Sequence, residues 1–174
     1  MLKRRGKAYL LTFLFILGLL VISANVPVPR TLLASSYQAY KSLVELLDLE
    51  GSPLDKAVYS VFTHNMYVMA LMYIPFLGVL NAVQAIFSTG IVIKAVSIYE
   101  SRRLWMLLLS TLLIPSTWLE ILAYSIAVSE GTFMGIAFIR RAWRRELPYY
   151  VSFFLLSAAL LLMAASLEVI LIRL

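Results

Sequence analysis

The chain contains no cysteine, one histidine and only nine acidic residues in its 174 positions. Without cysteine, disulfides, thiolate metal ligands and thiol nucleophiles are excluded, and the redox compartment is left open. A single histidine rules out a multi-histidine metal site within one chain. No glycine-rich phosphate loop or nucleotide motif is present, so any energy source belongs to a partner. Little of the chain suits water: 62% is hydrophobic and 14% charged, with a mean hydropathy of +0.91. The longest connection between apolar runs covers only residues 25–57, which leaves no room for a second, soluble domain.

The apolar sequence comes in runs of bilayer length. About 20 residues at 1.5 Å each cross roughly 30 Å of hydrocarbon, and residues 8–24, 58–79, 81–97, 117–139 and 149–172 come near or reach that length. The runs are continuous, whereas a transmembrane barrel alternates with a period of two. The expected fold is therefore all-α: one polytopic helical bundle over residues 1–174, with about five spans, in the cell membrane. Its first partner is the lipid bilayer.

Local signals refine this outline. Lys3-Arg4-Arg5-Gly6-Lys7 before an apolar run ending at Ser23-Ala24 has the shape of a signal peptide. Ile22, at the minus-three position of a cut after Ala24, is a poor cleavage residue, so an uncleaved anchor is expected. Pro27 and Pro29 stop the first helix. In the loop that follows, Leu32, Leu33, Tyr37, Tyr40, Leu43, Val44 and Leu47 recur at helical spacing, which predicts a short amphipathic helix on the outer interface or capping the bundle. Ser52 or Asp55 is the expected cap of the next helix, and Pro75 and Gly78 separate the second and third spans. Residues 104–139 as one helix would be about 54 Å long, so a split at Pro115 is expected, with a short interfacial or re-entrant piece before it.

The net charge of +6 resides at the ends of apolar runs, where it reads as topology signal and headgroup contact, with no nucleic acid partner. The basic amino terminus and Arg140-Arg141-Ala142-Trp143-Arg144-Arg145 are expected inside. Glu45, Asp48, Glu50, Asp55 and Glu100 are expected outside. Arg102 and Arg103 then fall outside. In the alternative topology residues 81–98 dip in and return, residues 104–139 form a hairpin, and every large basic cluster is inside.

Several polar or small residues within the spans are candidate functional positions. Ala123, Ala127, Gly131 and Gly135 fall four apart on one helix face and let another backbone approach closely, within the chain, in a homo-oligomer or against a partner's helix. Glu120 and Glu168 are costly in hydrocarbon and must face the bundle or a wet cavity, as hydrogen-bonded locks, an ion or proton site, or a polar contact with a partner. His64-Asn65 reads as a bonded core pair, because one imidazole with distant carboxylates is a poor metal set. Asn81, Gln84 and Ser88 either line a narrow polar path or bond to neighbouring helices, and Lys94 can snorkel to the interface. Ser116 precedes Glu120, but no base completes a nucleophile site. No catalytic residue, cofactor or metal follows, and an enzyme is not expected.

Phe62-Thr63-His64-Asn65, Gly78, Asn81 and Thr89-Gly90 stand in the order of the first half of the stage II sporulation protein M family, which residues 58–172 resemble. In the second half, Pro115-Ser116-Thr117-Trp118-Leu119-Glu120, Ala123, Gly131, Gly135 and Ala164-Ala165-Ser166-Leu167-Glu168 fit the family's Pro-His-Gly-x-x-Glu-like motif, small-residue helix and final Ala-Ala-x-x-Glu helix. Ser116 and Thr117 replace the motif histidine and glycine, so any chemical task of that histidine is not carried over. The resemblance implies a non-enzymatic multi-pass scaffold or assembly subunit, working with other membrane or envelope proteins. It also implies an archaeal or other non-sporulating member, because the family spreads beyond spore formers. The alternative is a permease or channel subunit, with a separate ATPase and with Glu120, Glu168, Asn81 and Gln84 along the path.

The basic asymmetry predicts an orientation that labelling can read. With Ser36→Cys or Ala142→Cys in this cysteine-free chain, an impermeant thiol reagent applied to right-side-out cells should modify position 36 and spare position 142. Modification of 142 alone reverses the orientation.

Overall fold

Proline lacks the N–H that an i to i−4 ladder needs, and glycine tolerates close approach, so these residues punctuate the helices. The structure is a computed structural model that describes residues 2–47 and 51–173. It contains α1 (Leu2–Asn25), α2 (Arg30–Leu47), α3 (Leu54–Tyr73), α4 (Gly78–Tyr99), α5 (Leu104–Leu113), α6 (Pro115–Ile139) and α7 (Trp143–Ile172), with no strand among the described residues. Pro115 opens α6 as its first residue, which separates α5 from α6 where the split was expected.

Four helices, α1 from Arg4 onward, α4, α6 and α7, are long and apolar enough to cross a bilayer. The chain is thus a helical membrane protein in fold class. At 10 residues α5 is only about 15 Å long, half the hydrocarbon thickness.

Contacts between the helices set their directions. Arg5 in α1 meets Glu130 in α6 and Glu146 in α7 at one end of the bundle. At the other end Lys94 in α4 donates to the Val26 carbonyl at 2.5 Å, and Arg173 donates to the Ser52 carbonyl at 2.6 Å. Helices α1, α4 and α7 therefore run one way, and α3 and α6 the other. Helix α6 is the hub: every residue from 123 to 131 is buried. Leu20, Met72, Ile86 and Leu161 meet its Ala127 from four other helices. Helix α2 lays Leu33 against Ile91 and Ala95 of α4, and Tyr37 stacks on Tyr99 at 4.8 Å.

Several expectations need correction. Residues 81–98 do not dip and return, because α4 is one unbroken helix of 22 residues. Neither Ser52 nor Asp55 caps α3; its N-cap is Pro53, without a side-chain bond. Lys94 does carry its amine to the end of the bundle, where it meets the Val26 carbonyl just past α1. The 140–145 cluster straddles the turn between α6 and α7 and the first residues of α7. Ala142 N–H closes on Ala137 O at 2.8 Å with Arg141 at φ 54°, a left-handed helix stop, and α7 begins at Trp143. Arg5 is no headgroup contact, for it is buried and paired. Asp48 and Glu50 lie outside the described residues.

Lipid tails are as apolar as leucine, so helix association rests on close packing, and small residues govern it. A Cβ at Gly131 would sit 2.9 Å from Met72 O and 3.0 Å from Tyr73 O, which presses the α6 ridge against the end of α3. A Cβ at Gly90 would come within 2.8 Å of the Ala24 amide nitrogen, where α4 passes α1. Gly18 has nothing within 4 Å of its added Cβ. Two alanine substitutions should therefore act with opposite sign in detergent unfolding. Gly131→Ala should cost about 1–3 kcal/mol through overpacking, while Gly18→Ala should gain about 0.5–1 kcal/mol of helix propensity. Equal melting of both would mean that α6 and α3 do not touch there.

Candidate functional site

Three helices converge on a cavity of about 610 Å³ near the α3 start and the α7 end. Helix α3 contributes His64 and Asn65, the second turn of α6 contributes Glu120, and the last turns of α7 contribute Glu168. The C-terminal half of α2 forms a further wall through Tyr40, Leu43 and Glu45. Asn65 Nδ2 donates to Glu120 Oε1 at 2.9 Å. Glu168 accepts no hydrogen bond from the described residues and turns its carboxylate to the cavity. Among the described residues no lysine or arginine lines the space. Its chemistry is that of an acceptor-rich recess suited to donors and cations. Among the described residues no three histidine, aspartate or glutamate side chains converge in a geometry that could hold a metal ion.

Residues far apart in sequence thus meet here, in a pairing different from the one expected. His64 is exposed to the cavity and is not a core partner of Asn65, because adjacent residues on a helix point about 100° apart. Asn65 turns inward to Glu120 instead. Asn81 and Gln84 do not join the site. Asn81 Nδ2 donates to the Leu71 carbonyl at 2.7 Å, which also accepts the Ile74 N–H at 3.3 Å, and Gln84 is exposed on α4. Ser116, at the position of the motif histidine, is buried. The small ridge is internal: Ala123 and Ala127 are buried in the core, and Gly135 lies against the Phe76 ring.

At the opposite end lies an ionic cluster with no counterpart in the sequence reading. The Arg5 Nη1 bonds both carboxylate oxygens of Glu130, and its Nη2 bonds Glu146. Tyr9 donates to Glu130 Oε1 at 2.5 Å, and Thr12 pairs with Ser129 at 3.0 Å one step further in. Arg5 is 3% exposed and Glu130 1%. The rings of Phe133 and Tyr149 lie 5.0 and 4.7 Å from the guanidinium carbon, placing aromatic faces around the charge. One signal was available. Glu130 is a carboxylate within the 117–139 run, beside the small ridge, and a charge there demands a partner.

A model of the stage II sporulation protein M family matches residues 8–171, from within α1 to nearly the end of α7. No curated protein and no solved structure matches the chain.

The two cavity carboxylates should respond differently to substitution. Glu120→Leu strands the Asn65 amide and should cost about 1–3 kcal/mol, whereas Glu120→Gln keeps an acceptor and should cost less than half as much. Glu168 has no bond to lose, so Glu168→Leu and Glu168→Gln should unfold in detergent within about 0.5 kcal/mol of wild type. Equal losses for Glu120→Leu and Glu168→Leu would contradict the distinction.

Proposed function

We propose, since the chain belongs to the stage II sporulation protein M family, that it is a five-span, non-enzymatic protein of the cell membrane and a scaffold or assembly subunit of an envelope complex. Counting α3 as the fifth span rests on its 20 residues, about 30 Å, and on Glu120 satisfying its Asn65. The basic residues at the α6–α7 turn favour that end inside, which turns the cavity end outward.

The observation that carries the reading is the cavity itself. It is walled by the amphipathic α2, rich in carboxylates and free of internal basic partners, so it suits a donor-bearing segment of another protein. Three further polar groups of the spans are engaged locally: Asn81 with a carbonyl, Tyr73 with Ser157 at 3.1 Å, and Arg5 with Glu130. No polar file links the cavity to the far end through Asn81 and Gln84, which supports assembly over transport.

The test uses the tagged full chain in mild detergent together with purified chain in liposomes. Wild type should carry a partner in fixed stoichiometry, His64→Trp should fill the recess and lower recovery at least ~tenfold, and Gln84→Trp should leave recovery unchanged. The liposomes should leak no more than protein-free ones. Selective ion or solute flux that disappears in Glu120→Gln would replace the scaffold with the permease.

A further inference from the structure

A smaller pocket, about 200 Å³, opens at the other end of the bundle between the start of α1 and the turn joining α6 to α7. Arg4, Arg5, Arg140 and Glu146 stand around it, and Phe133, Ile136 and Ala137 of α6 form its apolar side. Two of those charges are already engaged with each other, because Arg5 bonds Glu146 as well as Glu130. Arg4 and Arg140 remain. Both are exposed, and neither side chain has a hydrogen bond or ion pair among the described residues.

Two free guanidiniums from different helices, at the edge of one pocket, form a fork for an anion with several acceptor oxygens. Its apolar side narrows the chemistry. Ile136 lies one helical turn from Arg140 on the same face, toward the middle of the bundle, and is itself 39% exposed. An anion that brings hydrocarbon with it satisfies both halves of the pocket, while a soluble phosphate uses only the rim. Basic pockets between transmembrane helices recognise anionic headgroups in this way. The geometry points to a binding site for one anionic phospholipid, its phosphate held between Arg4 and Arg140 and an acyl chain laid along Ile136. The site is separate from the partner cavity, and it goes beyond a general attraction of basic residues to headgroups because it requires this pair.

Native mass spectrometry of the full chain, offered phosphatidylglycerol and phosphatidylcholine with the same acyl chains in equal amounts, tests the site. Wild type should retain phosphatidylglycerol selectively. Each of Arg4→Gln and Arg140→Gln should weaken retention about fivefold and the double variant roughly thirtyfold, at about 1 kcal/mol per charge. The pair Arg4→Lys and Arg140→Lys should keep most of it. Arg102→Gln with Arg103→Gln removes the same charge elsewhere and should change nothing. Millimolar inorganic phosphate should not displace the lipid. Equal retention of the two lipids, or equal loss on removing Arg102 and Arg103, would overturn the site. Displacement by inorganic phosphate would make it a soluble-anion site and overturn the lipid assignment. The single variants decide the matter if the double variant does not fold.

Discussion

The bundle depends on one buried guanidinium. Arg5 joins α1 to Glu130 of α6 and Glu146 of α7, and Tyr9 adds a second donor group to the Glu130 carboxylate. Ionised side chains without partners in a low-dielectric interior cost several kcal/mol each, so the members of this cluster stabilise the fold only together. Much of the rest of α1 is exposed, with Leu10, Leu11, Leu14 and Phe15 turned outward. The opposite face packs Ile16, Leu20 and Ala24 into the bundle, and the ion pairs and the Thr12–Ser129 contact hold the same rotation nearer the start of the helix. With α1 oriented, Ser23 and Ala24 reach Gly90, and Val26 meets Lys94. That docks α4, and α4 in turn seats α2 through Leu33.

Around α6 the packing is dense because its facing residues are small. Gly131 admits the Met72 and Tyr73 carbonyls, Tyr150 donates to the Tyr73 carbonyl at 2.7 Å, and the Tyr73 phenol reaches Ser157. These bonds satisfy backbone and phenol groups that hydrocarbon would leave unpaired. The two ends of the bundle then differ in chemistry. One end holds carboxylates around a cavity, and the other holds arginines around a smaller apolar-sided pocket.

The apolar runs and prolines made the helices legible in the sequence. Pro115 marks the start of α6, and the spacing of Leu33, Tyr37 and Leu43 marks α2. The family was also legible: the resemblance covers residues 58–172, and the family model matches residues 8–171. Boundaries were less so. Helix α1 starts at Leu2, ahead of the apolar run that begins at residue 8, and its Arg5 pairs with residues 125 and 141 positions away. Such a pairing has no local signature. Of the four polar residues that α3, α6 and α7 bring to the cavity, Asn65 and Glu120 are bonded and His64 and Glu168 face open space. That division follows from helix rotation, which apolar runs this uniform do not specify. Glu130 carried a signal in its burial cost, yet its neighbour Gly131 drew attention to packing alone.

If the Arg5 cluster orients α1, its members must be energetically coupled. A double-mutant cycle with Arg5→Met, Glu130→Met and the combined variant, followed by unfolding in detergent, measures that coupling. Each single substitution should cost about 3–5 kcal/mol, because it leaves a buried charge without its partner. The combined variant should recover most of one such loss, since Glu146 is 20% exposed and can turn to water. Strictly additive losses, or an Arg5→Met chain as stable as wild type, would contradict the account.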